Sequence, residues 1–168
     1  MAGSNTSGDA GINAFAQSVE LALAQAYAQL LTSGKVATPD AVDAMGAFAA
    51  HHQEHAAAIG ALAGNRATTT PNRRLATMLA ARVSNAPDEH AGLEVALTLE
   101  NEAASTYLFA LGSLEATEAL QLSASILPVE SQHAVVLSAL LHKAPEETFP
   151  VFETQDQAFR PDEFPAPS

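Results

Sequence analysis

Residues 126–133 read Ile126-Leu127-Pro128-Val129-Glu130-Ser131-Gln132-His133, a carboxylate and an imidazole set in an apolar run. Spaced three residues apart, Glu130 and His133 share one face of a helix. Ile126, Leu127, Val136, Leu137 and Leu140 mark that face as a buried one. A carboxylate there costs roughly several kcal/mol unless it is paired, hydrogen-bonded or bound to a metal. Partners are therefore expected elsewhere in the chain.

They emerge when the two halves are laid over each other. Glu20-x6-Tyr27 recurs 80 residues on as Glu100-x6-Tyr107, and His52-x-x-His55 recurs 78 residues on as Glu130-x-x-His133. A helical hairpin is thus written twice, with a small change of length. Two hairpins joined by a crossover make a four-helix bundle with approximate two-fold symmetry. Such a bundle carries Glu20, His52, His55, Glu100, Glu130 and His133 toward one level of the core. The plainer reading is a hydrogen-bonded pair that holds the helices in register, two glutamates at the edge of an apolar stripe, and an ordinary helical histidine cluster. His51, four residues before His55, offers an alternative pairing. Tyr27 and Tyr107 read as core residues whose hydroxyls need partners, and the carboxylates are natural ones.

The remaining punctuation fits this frame. The first helix is expected from Asp9 or Gly11 to Ser33, with Asp9 as its cap and Gly34 as its stop. Pro39 and Asp40 open the second, which runs to Ala63 before Gly64. Residues 65–87 hold a Thr triplet, Pro71 and a basic amphipathic piece from Asn72 to Val83, the pattern of a crossover containing a short helix. Asp88 caps the third long helix, Glu89 to Leu111. The fourth runs from about Glu115 to His142 with Pro128 inside it, where a proline kinks or bulges a helix. His90, His142, Glu102, Glu115 and Glu118 read as surface groups, and Arg66, Arg73, Arg74 and Arg82 cluster near the crossover. The chain divides into three units: a flexible leader at 1–10, the bundle at 11–144, and a tail at 145–168. Four of the seven Phe (Phe149, Phe152, Phe159, Phe164) lie in that tail among five Pro. So much proline argues against a helix there, and so much phenylalanine argues for packing on the bundle.

Composition sets outer bounds. The 168 residues suffice for one domain with a real core, and 48% of them are hydrophobic, Ala foremost. Strong helix formers dominate and β-branched residues are sparse, so an all-α fold is expected. A net charge of −12 argues against a nucleic-acid partner. No apolar run reaches the roughly 20 residues of a transmembrane span. The absence of cysteine excludes disulfides, thiolate metal sites and thiol catalysis. The polar start MAGSNTSGDA reads either as a native flexible leader or as the mature end left once an export signal is trimmed. The location expected is accordingly exported or cell-envelope, otherwise cytoplasmic.

The paired Glu-x6-Tyr elements and Glu130-x-x-His133 resemble the ferritin-like superfamily of four-helix metal proteins. More narrowly, FAAHHQEHAAAI and ASILPVESQHAVVL look like the metal-helix signatures of small, often exported bacterial ferritin-like domains. The resemblance spans about residues 11–142. It implies a bundle with a long crossover between the second and third long helices. It also implies a metal centre ligated by Glu20, His52, His55, Glu100, Glu130 and His133, with Tyr27 and Tyr107 behind the ligands. Two iron ions are the expected occupants, with zinc, manganese or copper as alternatives, and the activity implied is oxidation of Fe²⁺ or reduction of peroxide by a ferroxidase- or peroxidase-like enzyme. O₂ or peroxide would then be a partner, and a homodimer is compatible with the pattern. One departure stands out: His52 occupies the place where the family usually has a bridging Glu. A neutral imidazole offers one lone pair and cannot bridge as a carboxylate does. That difference favours a second expectation, a non-catalytic Zn²⁺- or Cu²⁺-binding or sensing module. A third is a metal-free helical scaffold whose tail docks a partner.

Overall fold

The computed structural model describes residues 8–144, 146 and 150–167. Among the described residues there are five α-helices and no strand. Helices α1 (Asp9–Thr32) and α2 (Pro39–Ala63) form one hairpin, and α4 (Glu89–Leu111) and α5 (Thr117–Leu140) form the other. The connection between them holds a 3-10 turn, Gly64–Arg66, and the short helix α3 (Arg73–Asn85). No described helix is long and apolar enough to cross a membrane.

Local chemistry accounts for the helix ends. Pro39 opens α2, where its missing N–H would have had no helical partner. The Asp88 side chain caps α4 by accepting from the Ala91 N–H at 2.9 Å. Gly34 and Gly64 take φ of 70° and 59° just past α1 and α2, a backbone that a side chain would strain. Asp9 does not cap α1 as expected, because Gly8 precedes it as the cap. Its carboxylate instead accepts from the backbone N–H groups of Glu115 (3.1 Å) and Ala116 (2.6 Å), which fastens the α4–α5 turn to the start of α1. Helix α5 is shorter than expected at both ends and continues through Pro128. Val136, read from sequence as part of the buried face, is 42% exposed. It lies six residues from Glu130, about 240° around the helix.

Two apolar layers enclose the middle of the bundle. One contains Tyr27, Leu30, Met45, Phe48, Leu97 and Leu137, and the other Ala16, Ile59, Tyr107 and Ile126. Each fully buried large side chain contributes about 1.5–3 kcal/mol. A third cluster joins α1, α3 and α4 to the tail through Phe15, Leu75, Leu79, Leu99, Phe159 and Phe164. Asn72 ties these parts together. Its side chain caps α3 at Leu75 N (3.1 Å) and donates to the carbonyls of Phe164 and Pro165, both at 3.0 Å. Its own N–H donates to Ser18 O at 2.9 Å. Thus Phe159 and Phe164 pack on the bundle, whereas Phe152 is 80% exposed. Phe149 and leader residues 1–7 lie outside the described residues. Glu102 is not simply solvated, because Arg82 donates to it at 2.6 Å.

Candidate metal centre

The duplicated hairpin delivers its polar residues to one level. Glu20 comes from α1, His52 and His55 from α2, Glu100 from α4, and Glu130 and His133 from α5. All are buried except His55, whose side chain is 13% exposed at the edge of the cluster. His52 lies at the centre. Its Nδ1 donates to Glu20 Oε2 at 2.7 Å, and its Nε2 to Glu100 Oε1 at 3.2 Å. His133 Nδ1 donates to Glu100 Oε2 at 3.1 Å. The tyrosines cross over: Tyr27 of the first hairpin donates to Glu100 of the second, and Tyr107 of the second donates to Glu20 of the first. Tyr27 also stacks on His52 with ring centroids 5.3 Å apart, and Phe48 stacks on His133 at 4.0 Å. Those flat contacts restrict both imidazoles to the orientations their hydrogen bonds need.

Sequence reasoning left the role of His51 open. Its ring stands 6.4 Å from that of His55. It meets His133 instead, Nδ1 to Nε2 at 2.8 Å, from the exposed side of the bundle. The only sequence signal for this was its position one residue before His52.

Electrostatics sorts the three carboxylates. Burial pushes Glu20 up, but the positive charge and hydrogen bond of His52, with His55 nearby, outweigh it and hold the carboxyl at about 2. Glu100 is likewise held below the usual carboxylate range, because His52 and His133 overcome its burial. Glu130 is pushed up by burial and by the neighbouring Glu20 charge, with His52 only partly offsetting them. The imidazoles respond in turn. Burial lowers His55, yet the Glu130 and Glu20 carboxylates beside it lift it to about 9, and the carboxylates raise His52 and His133 as well. Tyr27 and Tyr107 are raised by burial and by the carboxylates they bond, so both stay protonated donors.

The donor atoms fall into two groups, each compact enough for one ion. Glu20, His52, His55 and Glu130 form the first, and His52, Glu100, Glu130 and His133 the second, with donors within 4.8 Å of one another in each. Three buried atoms in the cluster have no hydrogen bond: Glu130 Oε1, Glu130 Oε2 and His55 Nδ1. His55 Nδ1 stands 3.0 Å from Glu130 Oε1, close but not directed for a hydrogen bond. Native interiors rarely leave a carboxylate so. A cation would satisfy all three atoms, and mixed carboxylate and imidazole donors suit divalent iron, manganese, zinc or copper. The residues present therefore fit a bound metal.

A family model for the ferritin-like domain matches residues 8–143. The chain belongs to the ferritin-like domain family. No curated protein and no solved structure gives a significant match. The ferritin-like bundle expected from the repeated Glu-x6-Tyr pattern is thus the fold this chain adopts. Within it, a buried cluster that could hold a metal ion lies between the hairpins.

Proposed function

We propose that this ferritin-like chain binds transition-metal ions among Glu20, His52, His55, Glu100, Glu130 and His133 and uses them in redox chemistry, with iron as the metal and O₂ or peroxide as the oxidant. Glu130 carries the reading: a fully buried carboxylate, ringed by imidazoles, with neither oxygen hydrogen-bonded. Family membership supports it. Bound iron would supply the electrons that the oxidant takes up. The chain's own contribution is positional. Glu20 and Glu100 are oriented by tyrosines from the opposite hairpin, His52 by stacking on Tyr27, and the enclosing apolar layers keep bulk water out. His55 stands where the cluster meets the surface, the natural side for entry. Oxidation of Fe²⁺ under air is the test. The unmodified chain should exceed a Glu130→Ala control, and equal rates would count against redox use.

One observation favours binding without turnover as a second reading. His52 sits at the centre of the cluster, where the ferritin-like resemblance implies a carboxylate, leaving three carboxylates to balance the charge of oxidised iron. Zn²⁺ or Cu²⁺, to which imidazole is well suited, would be the occupant. Metal analysis of protein purified without an immobilised-metal column separates the readings.

A further inference from the structure

Resting on that proposed metal binding, we infer that the two donor groups are unequal. The chain holds one ion tightly, through Glu20, His52, His55 and Glu130, while Glu100 and His133 act as hydrogen-bonding supports rather than ligands. Three observations carry this.

The first is the orientation of the shared residues. Glu130 turns Oε1 toward His55 (3.0 Å) and Oε2 toward His133 (3.3 Å), so it faces both groups with an oxygen each. His52 also faces both, with Nδ1 toward Glu20 and Nε2 toward Glu100. A neutral imidazole, however, has one lone pair and one N–H. When Nδ1 ligates an ion, Nε2 is left as a donor, and Glu100 is the acceptor waiting for it. A carboxylate orienting a ligating histidine in this way is a recurrent support for bound metals.

The second is that Glu100 is already engaged by three hydrogen bonds. Its Oε1 accepts from the Tyr27 hydroxyl and from His52 Nε2, and its Oε2 accepts from His133 Nδ1. His133 is engaged too, because its other nitrogen pairs with His51 at 2.8 Å. With His51 Nδ1–H donating to its Nε2, His133 keeps its Nδ1 hydrogen toward Glu100. Its lone pair is not offered to the cluster.

The third is where the unbonded atoms lie. His55 Nδ1 and Glu130 Oε1 both belong to the first group. Glu20 completes it: Oε1 accepts from Tyr107, and Oε2 faces His52 and His55 at 2.7 and 3.7 Å. Two of the three unbonded atoms thus lie on the His55 side of His52, and the third, Glu130 Oε2, turns toward His133.

The metal-free full chain should be titrated with Co²⁺, followed by visible absorption, with cobalt counted after desalting and located by anomalous scattering in a crystal. One ion per chain is expected, beside His55. His55→Ala should weaken binding roughly 100-fold or more, whereas His133→Ala should weaken it less than about tenfold, the lower end of the range for support residues. Glu100→Gln, which keeps an acceptor for Tyr27, should also retain one ion, and far-ultraviolet circular dichroism checks that each variant folds. Two ions of comparable affinity in the unmodified chain would overturn the inference while leaving metal binding intact. Equal loss in His55→Ala and in folded His133→Ala would do the same. No retained ion in the unmodified chain would overturn metal binding itself, and this inference with it.

Discussion

Glu130→Gln isolates the one carboxylate of the cluster that no hydrogen bond supports, with hardly a change of volume. In the metal-free protein two effects oppose. Removing a buried, unbonded charge gains roughly 1–3 kcal/mol. Losing its attraction to His52 and His55, at 3.9 and 3.0 Å, works the other way, but burial and the Glu20 charge outweigh that attraction and push the Glu130 carboxyl up. The neutral amide should therefore leave the metal-free Tm unchanged or raise it. The metal-induced change is the decisive quantity. An ion at 100 times its Kd stabilises the unmodified chain by about 2.7 kcal/mol, a rise of about 5–11 °C. A site weakened roughly 100-fold keeps only about 0.4 kcal/mol at the same concentration, or about 1–2 °C. Differential scanning calorimetry of chelator-stripped protein, with and without Zn²⁺ or Co²⁺, reads both numbers. If the ion raised the Tm of the variant as much as that of the unmodified chain, the role given to Glu130 would be wrong.

Other perturbations test the surrounding structure. Tyr27→Phe removes a hydroxyl donor from Glu100, and Tyr107→Phe one from Glu20; each should cost about 1–3 kcal/mol in urea unfolding. His55 is raised from 6.5 to about 9, so its stabilising contribution is complete below pH 6.5 and is lost as pH rises through 9. The metal-free Tm should therefore fall across that window, and saturating Zn²⁺ should remove the fall. On the acid side Glu20, lowered from 4.5 to about 2, stabilises fully above pH 4.5 and loses that contribution as pH falls through 2. Phe164→Ala should cost about 3–5 kcal/mol and open residues 150–167 to limited proteolysis. Gly60→Ala would set a Cβ 2.2 Å from Gln17 Nε2 and dislodge the oxygen that accepts from Thr68 N–H; a loss of about 1 kcal/mol in thermal unfolding is expected.

The bundle was legible because its signals are local and periodic. Pro39, Asp88, Gly34 and Gly64 mark helix ends through backbone chemistry that does not depend on the rest of the fold. The repeat at 80 and 78 residues then brings Glu20, His52, His55, Glu100, Glu130 and His133 together without reference to any distance. What sequence could not give was which atom of each side chain faces which neighbour. Spacing along a helix sets a face to within tens of degrees, whereas the use of His52 Nδ1 or Nε2 depends on stacking against Tyr27. His51 was missed as a partner of His133 for the same reason, since its neighbour lies 82 residues away on another helix. Asp9 carried a strong local capping signal, and a tertiary contact at Glu115 and Ala116 claimed it instead. Phe152 misled because an aromatic count cannot say which rings find a groove.

The exchange of tyrosines between hairpins bears on how the two halves depend on each other. Each half carries a glutamate whose phenolic donor belongs to the opposite half. A fragment ending in the 64–72 connector would leave Glu20 with His52 as its donor but without its phenol, and the complementary fragment would leave Glu100 with His133 but without its own. Cut there, the two pieces would be driven to reassociate, and reassembly rather than independent folding would restore both acids at once.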